Sequence, residues 1–214
     1  MFELLLANKH KLNDLFKAAL EKGDSNKALK IGRKLIKKDN NDYNNLNNVA
    51  MVHFRLGFYE HAINYLLKAN IVQETACHWE NIAQVQQAQK NYQRAIKSYN
   101  KALEIEPRKM SAWYLLAQCY KSNKDLKSAC SVLTKLILVY PDNIEARIDL
   151  GLYLLLQGKV DKGKKHFEWV LSSQDKKNAR EFMLSKLNEY RYKPYIKELI
   201  FYYKELTCIE KSLT

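Results

Sequence analysis

Glycine and proline are scarce in this chain, with 6 Gly and 3 Pro among 214 residues. Turn-rich β folds need both residue types at their strand connections, whereas helices are weakened or ended by them. Leu, Ala, Lys and Asn are abundant instead. The composition therefore favours a helical protein over a turn-rich β fold.

The sequence also lacks paired cysteines and metal-ligand spacings. Its 4 Cys are scattered without a CxxC pair, and its 5 His form no HExxH or similar motif. These spacings predict neither a disulfide framework nor a zinc site, and they favour a reducing compartment. We therefore expect no metal and no cofactor.

Motifs for catalysis are missing as well. The sequence contains no Gly-rich phosphate loop and no GxSxG elbow. Cys77 adjoins His78, but nucleophilic catalysis needs a further group that orients the base. Only a site assembled from distant segments would allow chemistry, so we expect a protein that is not an enzyme.

No apolar run approaches the roughly 18 residues that a membrane-spanning helix needs. The opening stretch MFELLLANKHKLNDLF has Glu3 and no basic leader before its apolar residues. It is a poor secretion signal and favours a first helix. From these features we expect a soluble, cytoplasmic protein.

Three residue types return after 34 positions, which indicates an internal repeat. The pairs are Trp79 and Trp113, Ala95 and Ala129, and Pro107 and Pro141. Extended along the chain, the period predicts five repeats, which cover residues 9–42, 43–75, 76–109, 110–143 and 144–177.

Each repeat divides into two halves, in which apolar residues recur three or four positions apart. This spacing describes a helix with one apolar stripe. Gly23, Gly57 and Gly158 separate the halves, as expected where a helix ends in a left-handed turn. Small residues at the eighth and twentieth positions, such as Ala83 and Ala95, allow two helices to approach closely. Each repeat is therefore predicted to be a helical hairpin.

Prolines also indicate where these helices end. Pro107 and Pro141 fall at predicted helix ends, where the chain loses no backbone hydrogen bond. In PDNIE at 141–145, Asp142 precedes Glu145 by three residues. That spacing predicts a capping box with Asp142 as the N-cap of the next helix.

These repeats resemble the tetratricopeptide repeat (TPR) family. The third repeat carries the closest match, Trp79-x2-Ile82-Ala83 … Ala95-x3-Tyr99-x2-Ala102 … Pro107, and the fourth fits nearly as well. The first and fifth repeats depart from the pattern, with Phe16 at the eighth position of the first and Arg147 at the fourth position of the fifth. End repeats are often atypical because one face meets solvent.

The resemblance implies an all-α fold, namely an α-solenoid with a right-handed superhelix of about five helical hairpins. It places the TPR array in residues 1–177, with C-terminal helices in 178–214 that cap the array. It also implies a protein–protein interaction scaffold or adaptor, which binds a peptide or helical segment of a partner in the concave groove.

By the same resemblance, the first helix of each repeat lines the groove. The candidate groove residues are Asn44, Asn47, Asn48, Asn81, Gln84, Gln87, Tyr114 and Gln118. Amide side chains both donate and accept, so they could hold the backbone of an extended peptide. An equal alternative is a merely solvated face, since the whole chain is rich in Asn. The cations of the family's carboxylate clamp are absent from the corresponding positions, so that mode of binding is not expected.

The net charge of +13 is carried largely by the second helices of the repeats. The candidate basic convex face consists of Lys30, Lys34, Arg94, Lys97, Lys101, Lys162 and Lys165. Such a face could bind RNA, an anionic membrane surface or an acidic partner. The favoured alternative is that these lysines only keep exposed helices soluble. Binding of nucleic acid or membrane is therefore the second hypothesis.

Residues 178–214 no longer follow the repeat and predict two helices divided near Pro194. Their aromatic residues are Tyr190, Tyr192, Tyr195, Phe201, Tyr202 and Tyr203. So many aromatics are expected to be covered. They could cap the fifth repeat around Leu150, Leu154 and Val170, which is the favoured alternative, or they could join two copies into a homo-oligomer.

Overall fold

The structure is a computed structural model that describes residues 2–172, 176–200 and 202–203, with side-chain surroundings for 9–172, 178–200 and 202–203. Within these ranges the chain forms eleven α-helices, a further helical segment over 194–200 and 202–203, and no strand. The helices are α1 Phe2–Glu21, α2 Ser25–Lys38, α3 Tyr43–Arg55, α4 Tyr59–Val72, α5 Ala76–Ala88, α6 Tyr92–Ile105, α7 Met110–Ser122, α8 Leu126–Val139, α9 Ile144–Leu156, α10 Val160–Ser172 and α11 Lys176–Asn188. The predicted all-α class is confirmed.

Helix starts follow the sequence period. The first helices of the second to fifth repeats begin at Tyr43, Ala76, Met110 and Ile144, which are the residues from which those repeats were counted. The connecting turns contain Gly23, Gly57 and Gly158, all with positive φ. Lys90 and Lys124 occupy the same left-handed conformation in the third and fourth hairpins, which lack that glycine. The chain is thus a series of helical hairpins of the solenoid class.

The chain forms two compact units, Met1–Ala112 and Trp113–Thr214, so their border lies within α7. The division that the sequence period predicted near residue 177, between the repeats and the C-terminal helices, stays a prediction. In the first unit, α1 to α6 pack in chain order, each helix against the next. Helices α2 and α4 therefore each contact the first helix of their own hairpin and the first helix of the next hairpin, which is how repeats build a continuous core.

Buried apolar side chains form the core of the first unit. One cluster joins the first two hairpins through Phe16, Leu35 and Val49, and a second joins the next pair through Leu66 and Ile82. The small residues predicted at helix contacts are fully buried, namely Ala28, Ala50, Ala62, Ala83 and Ala95. Their size allows the helices to pack at close range.

In the second unit, α9 packs against α8, α10 and α11, and α10 also contacts α11. The fifth repeat has glycine at its eighth and twentieth positions, Gly151 and Gly163, for a steric reason. A Cβ atom on Gly163 would lie 2.7 Å from the carbonyl oxygen of Gly151, whose own Cβ would lie 2.8 Å from the ring of Phe167. Only glycine fits at these two positions, because the facing backbone and ring leave no room.

One predicted helix cap is wrong. Asn143 caps α9, since its side chain accepts a hydrogen bond from the amide of Ala146 at 2.8 Å. The capping box therefore does not use Asp142. Pro141 lies two residues before this cap, as expected for the connection between two helices.

The C-terminal helical residues are packed against the fifth hairpin. Met183 and Leu187 of α11 are fully buried, and the ring of buried Tyr203 lies edge-on to Phe167 of α10, with centroids 6.1 Å apart. Tyr192 and Tyr202 are exposed, and Phe201 lies outside the described residues. Leu150 and Leu154, which the sequence placed under these helices, also line a cleft beside α8 and α10. Among the described helices, none is both long and apolar enough to cross a bilayer.

Candidate functional site

A row of amide side chains lies on one side of α3 and α5 in the first unit. We call it the amide surface and define it by Asn44, Asn47, Asn48, Asn81 and Gln84. The opposite side of α3 is buried and largely apolar, which fixes the amides toward solvent. Asn44 is exposed, and the other four are half-buried. Five of the predicted groove residues thus share one surface.

A hydrogen bond links the two helices across this surface. Asn81 donates through Nδ2 to Oδ1 of Asn47 at 2.8 Å, and the two residues are 34 positions apart. Asn47 stands at the fifth position of the second repeat and Asn81 at the sixth position of the third. Each amide keeps a further donor or acceptor after this bond, because an amide group has four hydrogen-bonding sites. Within the described part of the chain, the side chains of Asn44 and Asn48 form no hydrogen bond.

A charged group borders the amide surface on α5. Glu80 accepts hydrogen bonds from Ser111 at 2.7 Å and from Gln84 at 3.5 Å, and it lies 4.0 Å from Nζ of Lys109. Lys109 also lies 3.5 Å from Glu106. The cation is therefore balanced by two carboxylates, and this border offers no excess positive charge to a ligand.

The groove residue Gln87 is already used within the first unit. Its Oε1 accepts a hydrogen bond from the hydroxyl of Tyr99 at 3.0 Å, and neighbouring Gln86 accepts one from Ser98 at 2.8 Å. Both donors lie on α6. These bonds join the two helices of the third hairpin, so Gln87 contributes to hairpin packing.

Tyr114 and Gln118 belong to the second unit, where they donate to a buried carboxylate. Asp149 of α9 is 1% exposed and accepts from the Tyr114 hydroxyl at 2.7 Å and from Nε2 of Gln118 at 2.5 Å. Lys186 of α11 lies 3.3 Å from its other oxygen. Burial and then the charge of Asp149 raise the pKa of Tyr114, which stays protonated and donates. These two half-buried groove candidates thus share a hydrogen-bond network with Asp149, and their role in a groove stays a prediction.

The same network includes residues that the sequence analysis did not assign. Lys186 was not identified because it lies beyond the repeats. Asp149 was visible as an acid between Ile148 and Leu150 on a largely apolar helix, whose other acid, Glu145, lies in the first turn. Such an isolated acid predicts a buried, paired carboxylate, and this was the available signal.

All seven residues of the candidate basic face are exposed on second helices. One of them also packs on a tryptophan, since Nζ of Lys101 lies 4.2 Å from the ring centroid of Trp79. Lys135 and Trp113 repeat this pair at 6.0 Å one repeat later. The recurring Trp at the fourth position and Lys at the twenty-sixth were the sequence signal for this cation–π contact, and it was missed.

The fifth repeat exchanges the two partners. Arg147 stands at the fourth position and Trp169 at the twenty-sixth, and the guanidinium lies 3.7 Å from the ring centroid. The contact is conserved in kind while its cation moves from the second helix to the first. Arg147, which departs from the repeat pattern in the sequence, is therefore matched by Trp169 at the twenty-sixth position.

The cysteines near this surface show no reactive environment. Although Cys77 is exposed, partial loss of hydration raises the pKa of its thiol, whereas a nucleophilic cysteine needs a lowered pKa. Among the residues that the structure describes, no three His, Cys, Asp or Glu side chains are grouped as metal ligands would be. The surface offers hydrogen bonding rather than reactive groups.

Two family models match the chain. Residues 86–147 match the model described as Tetratricopeptide repeat, and residues 21–102 match the model described as Anaphase-promoting complex, cyclosome, subunit 3. Sperm-associated antigen 1 of Mus musculus is 30% identical over 123 residues, which are 58% of this chain and 13% of that protein. The chain therefore spans only a small part of this curated relative.

Solved structures share the fold. The MamA protein superposes with a TM-score of 0.68 at 23% identity, covering 79% of this chain and 93% of that chain. YrrB, described as a TPR protein with an unusual peptide-binding site, superposes with a TM-score of 0.60 at 14% identity, covering 77% of this chain and 85% of that chain. The family-model matches, the fold of these structures and the helical hairpins agree, and together they support a tetratricopeptide repeat protein.

Proposed function

We propose that this protein is a scaffold or adaptor whose amide surface holds an extended segment of a partner protein. The TPR fold supports a protein–protein interaction scaffold in general. The observation that carries the specific proposal is the bond between Asn47 and Asn81, which joins successive repeats, beside the available amides of Asn44 and Asn48.

The chemistry of the amide surface suits a peptide backbone. An extended segment presents alternating N–H and C=O groups, and each amide side chain can satisfy either one. The bond between Asn47 and Asn81 fixes two of these amides before a partner arrives. Preorganisation reduces the ordering cost of binding. The peptide-binding site named for YrrB supports the same class of ligand.

We also propose that the protein is located in the cytoplasm. Cys77 is an exposed free cysteine and Cys130 is a buried one, as expected in a reducing compartment. The proposed role uses binding alone and requires no catalytic group, metal or cofactor.

Titration of peptides selected from a random displayed library tests this proposal. We expect Asn48→Ala and Asn81→Ala together to weaken the selected peptide by about 1–3 kcal/mol, since each lost hydrogen bond contributes about 0.5–1.5 kcal/mol. Asn64→Ala with Asn100→Ala is a matched control, because both residues are exposed on second helices. Isothermal titration gives the affinities, and circular dichroism checks that helicity is unchanged.

Equal affinities for the wild type and the Asn48/Asn81 variant, with helicity intact, would place the peptide site elsewhere. A loss of affinity in the Asn64/Asn100 control would have the same meaning. Weaker binding in the first variant alone supports the amide surface.

The second hypothesis, binding of RNA or an anionic membrane surface, is favoured by the exposure of all seven basic candidates. Salt separates it from the first. Binding to phosphates weakens steeply as ionic strength rises, because bound counterions are released. Binding through uncharged amides should change little between low and physiological salt. A steep salt dependence with RNA or anionic vesicles would favour the basic face.

A further inference from the structure

A cleft of about 500 Å³ lies in the second unit, on the side formed by second helices α8 and α10. We call it the basic cleft. Leu150 and Leu154 of α9 contribute apolar side chains to it, and Ile137 of α8 adds another. Its volume falls within the range of about 300–1,000 Å³ that is typical of ligand sites. It is separate from the amide surface, which belongs to the first unit.

Positive charge surrounds this apolar floor. Lys162 and Lys165 of α10 line the cleft, are three positions apart and are both exposed. Arg147 lines it from α9. No acidic residue is among the described residues that line the cleft. An apolar floor bordered by cations is complementary to an acidic ligand with an apolar group.

The exchange of Arg147 and Trp169 explains why the cleft is basic. In the third and fourth repeats the fourth position holds a tryptophan, whereas here it holds a guanidinium stacked 3.7 Å from the Trp169 ring. Nε of Arg147 also donates to the carbonyl of Pro141 at 2.9 Å. Two contacts therefore fix the cation in place, and an ordered cation loses less freedom when a ligand binds.

We propose that the basic cleft binds an acidic segment of a partner protein. One apolar side chain of that segment would pack on Ile137 and Leu154, with flanking carboxylates beside Lys162 and Lys165. RNA fits less well, because single-stranded bases need open aromatic faces, and the ring of Trp169 carries the Arg147 guanidinium. The cleft is a second interaction surface that does not depend on the amide surface.

Fluorescence anisotropy with a defined probe tests the proposal on the full chain. The probe is a fluorescein-labelled peptide with one Phe between runs of Glu, and its partner probe has Ala in place of that Phe. Lys162→Glu with Lys165→Glu reverses charge at the nineteenth and twenty-second positions of the fifth repeat. Arg94→Glu with Lys97→Glu makes the same change at the same positions of the third repeat, and all four residues are exposed.

We expect the Lys162/Lys165 variant to weaken the Phe peptide about tenfold or more, and the Arg94/Lys97 control to weaken it less than about twofold. The Ala peptide should bind about tenfold more weakly than the Phe peptide. The Asn48→Ala, Asn81→Ala variant should leave this affinity unchanged, so failure here is distinguishable from failure at the amide surface.

Three results would overturn the proposal. Equal losses of peptide affinity in both charge-reversed variants would show that only the net charge matters. Equal affinities for the Phe and Ala peptides would show that the apolar side chain makes no contact in the cleft. The third is no measurable peptide binding, including the case in which poly(U) RNA or phosphatidylserine vesicles bind instead and lose binding in the Lys162/Lys165 variant.

Discussion

Four asparagines near the start of α3 show how position decides the role of a side chain. Asn45 is buried, and its Nδ2 donates to Asp42 at 2.9 Å beside the helix cap. Asn47 bonds to the next repeat, while Asn44 and Asn48 face solvent. Composition alone cannot separate these roles, because Asn suits caps, surfaces and polar contacts alike. The helical period separates them once the phase is known.

His53 is a second residue whose environment predicts behaviour. It is 3% exposed, its ring stacks on Tyr65 with centroids 5.4 Å apart, and neither ring nitrogen has a hydrogen-bond partner among the described residues. Burial, followed by the charges of His61 and Arg33, lowers its pKa. The neutral form is therefore favoured in the folded protein.

We expect His53→Phe to reduce the loss of stability in acid. The unfolded state has a histidine pKa near 6.5, above the folded value, so it takes up the proton first as pH falls. Stability is thus complete above about pH 6.5 and is lost as pH falls toward the folded pKa. Urea denaturation at about pH 7.5 and about pH 5 measures this loss. His78 and His166, whose pKa values burial also lowers, remain in both proteins.

If wild type and His53→Phe lose the same unfolding free energy in acid, the lowered pKa of His53 does not contribute to the acid sensitivity of the fold. The ratio of the two losses is the relevant quantity, because the substitution also changes stability at neutral pH. Packing differences alone would change the free energy of unfolding by the same amount at both pH values.

At the scale of the helix pair, the contact between the fourth and twenty-sixth positions ties the two helices of a hairpin. It occurs as Trp79 with Lys101, and it is reversed as Arg147 with Trp169. The aromatic ring and the cation can therefore exchange helices. The direct contact between the two side chains explains why both positions change together. Independent preferences at each position would not link the two changes.

A double-mutant cycle tests this coupling. We expect Arg147→Trp and Trp169→Lys each to destabilise the protein, the second because it places two cations together. The double variant restores the arrangement of the third repeat, so it should be more stable than the sum of the single changes by about 0.5–2 kcal/mol. Urea denaturation of the four proteins gives the interaction energy. Strictly additive changes would show that the two side chains are not coupled.

The helices themselves were the most predictable elements. Repeats counted from Tyr43, Ala76, Met110 and Ile144 gave the helix starts, because every hairpin must bury its apolar stripe against the next at a constant period. The choice between Asp142 and Asn143 as N-cap was not predictable, since both side chains can cap and the helix start differs by one residue.

The polar network around Asp149 required the folded chain. Its partners lie on α7 and α11, more than thirty residues away in either direction. No local spacing specifies which polar residues of different repeats will meet. The sequence analysis therefore selected Tyr114 and Gln118 as groove residues, while the structure shows them bonded to Asp149.

At the scale of the whole molecule, we expect the C-terminal helices to act as a cap. Met183 and Leu187 are fully buried and Tyr203 is 1% exposed, all within a single chain. Deletion of residues 178–214 would expose the surfaces that these side chains cover. The shortened protein should be a less stable monomer that aggregates. Thermal denaturation and analytical ultracentrifugation measure these changes.

A homo-oligomer through the same segment is the alternative. It predicts that the full-length protein sediments as a dimer and that the shortened protein is a stable, well-behaved monomer. That pair of results would identify the C-terminal segment as an interface between copies.

Site-specific photo-crosslinking tests the central claim, partner binding at the amide surface, most directly. A photoreactive amino acid is placed at position 48 or 84 of the amide surface, or at control positions 64 or 100 on the second helices, and the protein is irradiated in extract of its native cell. Mass spectrometry identifies each crosslinked peptide. The account predicts that positions 48 and 84 both crosslink to one segment of one partner and that positions 64 and 100 do not. Crosslinks to a partner only from positions 64 and 100 would contradict it.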